Sequence, residues 1–112
     1  MYRPVKLMSR SEIVEALEST DPTCVSGALY SAVRSIDDWK WVQDECLKRV
    51  ADAQIQIRWA AVTCLGDLAM IHKKLDSERV LAALEKAIED PAIEDPARFS
   101  VSLVKQFATR VM

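Results

Sequence analysis

The sequence predicts an all-α protein, a short α-solenoid of about three antiparallel helix hairpins folded as one domain over 1–112. Three observations carry this. The 112 residues include only 2 glycines and 4 prolines, too few tight-turn residues for a sheet, while Ala, Leu, Glu and Lys are abundant. Apolar positions recur with the 3.6-residue helical period. Aspartates at 21, 52 and 95 each stand where a second helix of a pair should open, 31 and 43 residues apart, within the span of about 20 to 45 residues typical of structural repeats. With 50% apolar and 29% charged residues, one compact core is expected.

Taken in order, Ser9 and Glu12 have the spacing of a capping box, and Ile13, Val14 and Leu17 give the stripe of a first helix over about 11–19. Asp21-Pro22 reads as an N-cap followed by proline at the first helical position. The second helix then runs to about Ser35, with Val25, Ala28, Leu29, Ala32, Val33 and Ile36 facing inward. Ser35 and Asp38 offer the next cap, and Trp39, Val42, Cys46 and Val50 form the stripe of a third helix ending near Ala51. Asp52 should cap a fourth helix that ends near His72. A fifth runs from Asp76 or Ser77 to Glu89 on Val80, Leu81, Leu84, Ala87 and Ile88. After a loop with two Asp-Pro steps, a sixth starts at Pro96, capped by Asp95, and runs to about Arg110 with Phe99, Leu103, Phe107 and Val111 as its ridge. The hairpins are thus expected at about 9–36, 37–72 and 76–111. Val25, Ala28, Val33 and Ile36 recur 32 residues on as Ile57, Ala60, Leu65 and Leu68, an internal repeat.

The fourth helix is apolar around most of its circumference, leaving a narrow polar strip through Gln56, Thr63 and Asp67. Such a helix should be covered on several sides and lie mid-protein. Its sequence, DAQIQIRWAAVTCLGDL over Asp52–Leu68, resembles the second helix of a HEAT repeat: an aspartate, a β-branched residue and arginine (Ile57, Arg58), a small-residue seam (Ala60, Ala61), then Leu65-Gly66-Asp67-Leu68. Ala53, where the family usually has proline, and Trp59, where a polar residue is common, depart from the pattern. The match is specific over this stretch, and the outer units are degenerate. The resemblance implies a HEAT/armadillo-like α-α superhelix in which Arg58 pairs with Asp52, or with Asp21 of the preceding unit, as a structural ladder between hairpins.

The formal charge of −2 gives no electrostatic case for duplex DNA or an anionic membrane as main partner. No apolar run approaches the roughly 20 residues of a spanning helix, and the N-terminal octet, broken by Arg3, Pro4 and Lys6, is no secretory signal; a soluble, cytoplasmic protein is expected. Cys24, Cys46 and Cys64 read as buried reduced thiols rather than a disulfide framework or zinc site. No phosphate loop, nucleophile elbow or Cys-x-x-Cys is present, and the single histidine, His72, sits with Lys73 and Lys74 at a helix C-terminus, where positive charge suits the macrodipole. No catalytic residue, metal ligand or cofactor site is therefore expected, and the protein is not expected to be an enzyme.

A solenoid this small presents a surface, so a protein-binding module is the expected function. Trp39 and Trp41, two apart on one helix, point to nearly opposite sides, so only one can join the stripe; Trp41 groups with Glu45 and Lys48 and is either an exposed interface anchor or packed against a neighbouring loop. Tyr30 and Trp59 are weaker candidates, expected in the core. Glu78, Glu85 and Glu89 line one side of the fifth helix, and Asp90, Glu94 and Asp95 continue the charge; Glu12, Glu15 and Glu18 form a second acidic cluster. These are either solvated faces or surfaces for a basic partner. Small bacterial HEAT-like proteins include the immunity proteins that neutralise secreted toxins, often nucleases. The resemblance thus implies a partner with a basic groove, which an acidic protein with aromatic anchors would cover. The alternatives are an adaptor or assembly factor and, less favoured because Arg34, Arg58, Arg98, Lys105 and Arg110 are dispersed, a nucleic-acid-binding protein.

Overall fold

Ser9 opens the first helix through the expected capping box: its hydroxyl accepts from the Glu12 N–H at 3.2 Å, and the Glu12 carboxylate accepts from the Ser9 N–H at 3.0 Å. The computed structural model describes residues 8–110, and within them the chain forms six helices and a two-residue strand pair. Helix α1 is Arg10–Leu17, α2 Pro22–Ser35, α3 Trp39–Leu47, α4 Ile55–His72, α5 Ser77–Ala87 and α6 Glu94–Phe107. Side-chain caps are made by Asp21 on Thr23, Asp38 on Trp41 and Asp76 on Arg79. The expected ridge residue Val111 lies outside the described residues.

Two aspartates expected as caps do other work. Asp52 accepts from the Gln54 N–H at 2.9 Å, the Asx turn this side chain favours, so the helix does not begin until Ile55 and Gln54 caps it without a side-chain bond. Asp95 lies inside the first turn of α6. The turn before it is fixed by Asp90, whose carboxylate accepts from Ala92 N–H at 3.0 Å and whose carbonyl accepts from Ile93 N–H at 3.1 Å. Pro96 is tolerated there because first-turn N–H groups lack intrahelical partners. Helix α3 ends before Ala51, giving way to turns in which Arg49 N–H reaches Cys46 and Asp52 N–H reaches Arg49.

The helices pack in consecutive pairs, α1 on α2, α3 on α4, α5 on α6, and α4 lies between α2 and α6. Ala60, Ala61, Val62, Cys64, Leu65, Leu68 and Ala69 of α4 are all buried, so the helix with the broadest apolar surface is the one with most cover; each fully buried Leu or Val contributes about 1.5–3 kcal/mol. Gly66 is where α6 comes closest: a Cβ there would stand 2.5 Å from Ser100 Oγ and 2.9 Å from Ser100 Cα. Ser100 is itself buried, its hydroxyl donating to the Val62 carbonyl at 2.8 Å. Similar extents of 31, 30 and 29 Å follow from stacking only three helix pairs.

Helix α4 ends as expected at His72, whose Nε2 lies 2.9 Å from the Val33 carbonyl, and Lys73 closes it in the left-handed conformation at φ 59°. The residues that follow, Lys74–Leu75 (β1), pair in parallel with Thr109–Arg110 (β2). Sequence periodicity gave no sign of this pairing. It joins the end of α6 to the α4–α5 link and leaves Leu75 fully buried. Gln43 is a second unforeseen element: it is buried inside α3 because its Oε1 accepts from the Asp76 N–H at 2.6 Å.

Candidate functional site

The residues singled out on α3 are held by intramolecular contacts. Trp41 is half-buried rather than exposed, with the Arg10 guanidinium 4.6 Å from its ring centroid; Arg10 also lies 3.8 Å from Asp38, tying the start of α1 to the start of α3. Trp39 is half-buried too, with Lys40 at 5.7 Å. The Glu45 carboxylate is 2.9 Å from Lys48 and 3.4 Å from Arg49.

The acidic run on α5 and the following loop divides in two. Glu78, Glu85 and Glu89 are exposed and form no ion pair among the described residues, but Arg79 and Lys86 stand beside them, and Arg79 pairs with Asp44 at 3.4 Å. Asp90 and Glu94 are committed: Asp90 to Arg58, Glu94 to Arg98 at 2.8 Å. The Arg58 Nε is 3.1 Å from Asp90 Oδ2, an ion pair rather than a well-aligned hydrogen bond, while its Nη1 donates to the carbonyls of Asp52 and Ala53 at 3.0 and 3.3 Å. The ion pair of Arg58 thus reaches forward to the α5–α6 turn; it meets Asp52 through the backbone, and the Asp21 carboxylate is engaged in capping α2. A cavity of about 550 Å³ beside this pair is lined by Val50, Arg58, Lys86, Ala87 and Ile93 among others.

The largest departure from expectation is on α4. Trp59 and Ile55, one turn apart on the same face, are 44% and 52% exposed, so Trp59 is a surface residue and not a core one. Met70 and Ile71 near the helix end, and Phe99 on α6, are exposed as well. Next to Trp59 a cleft of about 270 Å³ opens between α2 and α4, lined by Ser26, Tyr30, Ile55, Gln56 and Trp59. Its polar wall is pinned: Gln56 Nε2 is 3.3 Å from both Thr23 Oγ1 and Ser26 Oγ, and Ser26 Oγ donates to the Pro22 carbonyl at 2.7 Å. The sequence signals for this face were the polar strip through Gln56 and Trp59 as a departure from the usual polar residue.

Electrostatics across the α2–α4 seam are set by partial burial. The Asp67 carboxyl is raised above the usual aspartate range by burial, with Arg34 at 3.7 Å pulling it back down. Burial likewise raises the Tyr30 hydroxyl, with Cys64 and Asp67 adding to it. The Cys64 thiol is pushed well up by burial first and by its hydrogen bond with Cys46 second. Cys46 and Cys64 are buried as expected; Cys24 is exposed, its Sγ 3.7 Å from Asp21 Oδ2 in the first turn of α2. Among the described residues no group of three or more His, Cys, Asp or Glu could hold a metal, and no helix is long and apolar enough to cross a membrane.

No protein-family model matches the chain, and the search of curated proteins finds no match. Among solved structures, the chain is similar to one in the crystal structure of a CDI complex from Cupriavidus taiwanensis LMG 19424, with a TM-score of 0.88 and 25% sequence identity over 97% of this chain and 98% of that one. The likeness therefore spans both molecules nearly end to end, including all six helices.

Proposed function

We propose that this chain is the immunity component of a contact-dependent inhibition system, a non-enzymatic protein that neutralises a toxin domain by binding it. The single observation carrying this is the near full-length likeness to a chain of a CDI complex. Such a complex joins a toxin to the protein that silences it, and the composition of this chain favours the silencing side. It carries no nucleophile–base pair, phosphate loop or metal-ligand spacing that toxin chemistry would need, and its net charge is −2. The fold is consistent with the same reading: three consecutive helix pairs, with α4 between α2 and α6, suit a short α-solenoid, whose use is to present a surface. A toxin that cleaves nucleic acid fits best, because a protein that grips a polyanion carries a basic groove that an acidic protein complements. The place of action is the cytoplasm, where such a toxin meets its substrate.

The test is capture of a toxin domain from the source cells with the tagged chain, followed by coexpression of the two. The proposal expects growth to be arrested by the toxin alone and restored by this chain, with the two copurifying as a complex. Continued arrest with no complex would remove the immunity reading and leave the adaptor class.

A further inference from the structure

Helix α4 is covered on every side but one, and on that side apolar Ile55, Trp59 and Met70 stand beside polar Gln56. Trp59 and Ile55 face outward beside a cleft of about 270 Å³. Small-molecule pockets run to about 300–1,000 Å³ and bury most of their ligand, so this shallower cleft suits a single side chain inserted from a partner protein. Its walls are set in advance by the Gln56 bonds to Thr23 and Ser26, which lowers the ordering cost of docking. Tryptophan at the centre of a patch is the residue type that most often dominates interface energetics.

Charge says what kind of partner fits. From Ser11 to Val33 the sequence contains Glu12, Glu15, Glu18 and Asp21 and no lysine or arginine. The cations at either end of this span are committed elsewhere, Arg10 to Asp38 and the Trp41 ring, Arg34 to Asp67 and the Tyr30 carbonyl at 3.1 Å. Asp21 caps Thr23, the residue that Gln56 grips at the cleft wall, so the acidic edge and the apolar cleft adjoin. The acids of α5, by contrast, are interleaved with Arg79 and Lys86.

We infer that the toxin docks on the α2–α4 face, inserting an apolar side chain against Trp59 and Ile55 while a basic patch lies along the α1–α2 edge at Glu18 and Asp21. This rests on the immunity reading and assigns its surface. The tryptophans of α3 and the acids of α5 are then peripheral to binding.

The experiment measures binding of the coexpressed toxin domain, in catalytically inactivated form, to the wild type and to Trp59→Ala, Ile55→Ser, the pair Glu18→Gln/Asp21→Asn, and the pair Glu85→Gln/Glu89→Gln. Asparagine keeps the helix cap at 21, and thermal melts verify that each variant folds. Trp59→Ala is expected to raise Kd by about thirtyfold or more, the scale of an interface hot spot. Glu18→Gln/Asp21→Asn should slow association and flatten its dependence on salt. Wild-type-like binding by Trp59→Ala and Ile55→Ser, or a loss of affinity confined to the α5 pair, overturns the assignment while leaving the immunity reading intact. A wild type that binds no toxin removes both. A concentration-dependent dimer of the chain alone that Trp59→Ala dissociates assigns the face to a second copy instead and also overturns it.

Discussion

Gly66 on α4 and Ser100 on α6 meet so closely that a methyl group added to the glycine would lie 2.5 Å from the serine hydroxyl and 2.9 Å from its Cα. The contact is with backbone as well as side chain, so rotating Ser100 cannot relieve it. The hydroxyl is in any case engaged with the Val62 carbonyl.

Gly66→Ala is therefore expected to destabilise by about 1–3 kcal/mol through overpacking, even though alanine is the better helix former by about 1 kcal/mol. Gly27, mid-helix in α2, meets nothing within 4 Å where a Cβ would stand, so Gly27→Ala should stabilise by about 0.5–1 kcal/mol. Urea denaturation of the two variants checks the opposite signs, and equal effects would refute the close approach.

Arg58 anchors the α3–α4 link to the α5–α6 turn. Its guanidinium holds two loop carbonyls besides Asp90, so Arg58→Met should cost about 2–3 kcal/mol, whereas Asp90→Asn, which keeps an acceptor for the Ala92 N–H, should cost about 1 kcal/mol or less. A double-mutant cycle is expected to give about 0.5–1 kcal/mol of coupling between Arg58 and Asp90 and none between Arg58 and Asp21. Coupling to Asp21 instead would restore the ladder expected from the HEAT resemblance.

Asp67 gives stability a pH dependence of defined sign. Burial raises its folded-state pKa above the ordinary 3.8, against the opposing pull of Arg34. The folded state then binds this proton more tightly than the unfolded chain, so Asp67 opposes folding at neutral pH and the opposition fades as pH falls through the folded pKa toward 3.8. Wild type should gain stability relative to Asp67→Asn on acidification over that window, measured by parallel denaturant titrations; a relative loss would reverse the assignment.

The cysteines should separate by exposure. Cys24 is exposed while Cys46 and Cys64 are buried, the latter with its thiol pushed well up by burial. A maleimide should label one site per native chain and three after denaturation, read by intact mass. Fast native labelling at Cys64 would contradict the packing of α3 on α4.

Local chemistry made much of the fold legible. Ser9 with Glu12, Asp21 with Pro22, and Asp38 and Asp76 fix helix starts through bonds two or three residues long, which a linear reading can see. Asp52 misled for the same reason: an Asx turn and an N-cap use the same carboxylate reaching the N–H two residues on, and only the following backbone decides between them. The β1–β2 pairing, the Gln43–Asp76 bond and the Arg58–Asp90 ion pair join residues more than thirty positions apart, where no periodicity points. The surface was least legible. Helical spacing put Trp41 outside the stripe of α3 but could not show that Arg10 lies over it, and the polar strip of Gln56, Thr63 and Asp67 marked the uncovered side of α4 without showing that Trp59 is exposed at its edge. The acids of Glu12 to Asp21 were visible, but not that Asp21 stands beside the cleft on that side.

On the proposed function, this chain silences a toxin by binding it. The most direct measurement is a titration of the purified toxin domain's activity on its substrate with increasing amounts of the chain. The account predicts a linear loss of activity that ends at one equivalent, with no cofactor added. Undiminished toxin activity at a large excess of folded chain would contradict it.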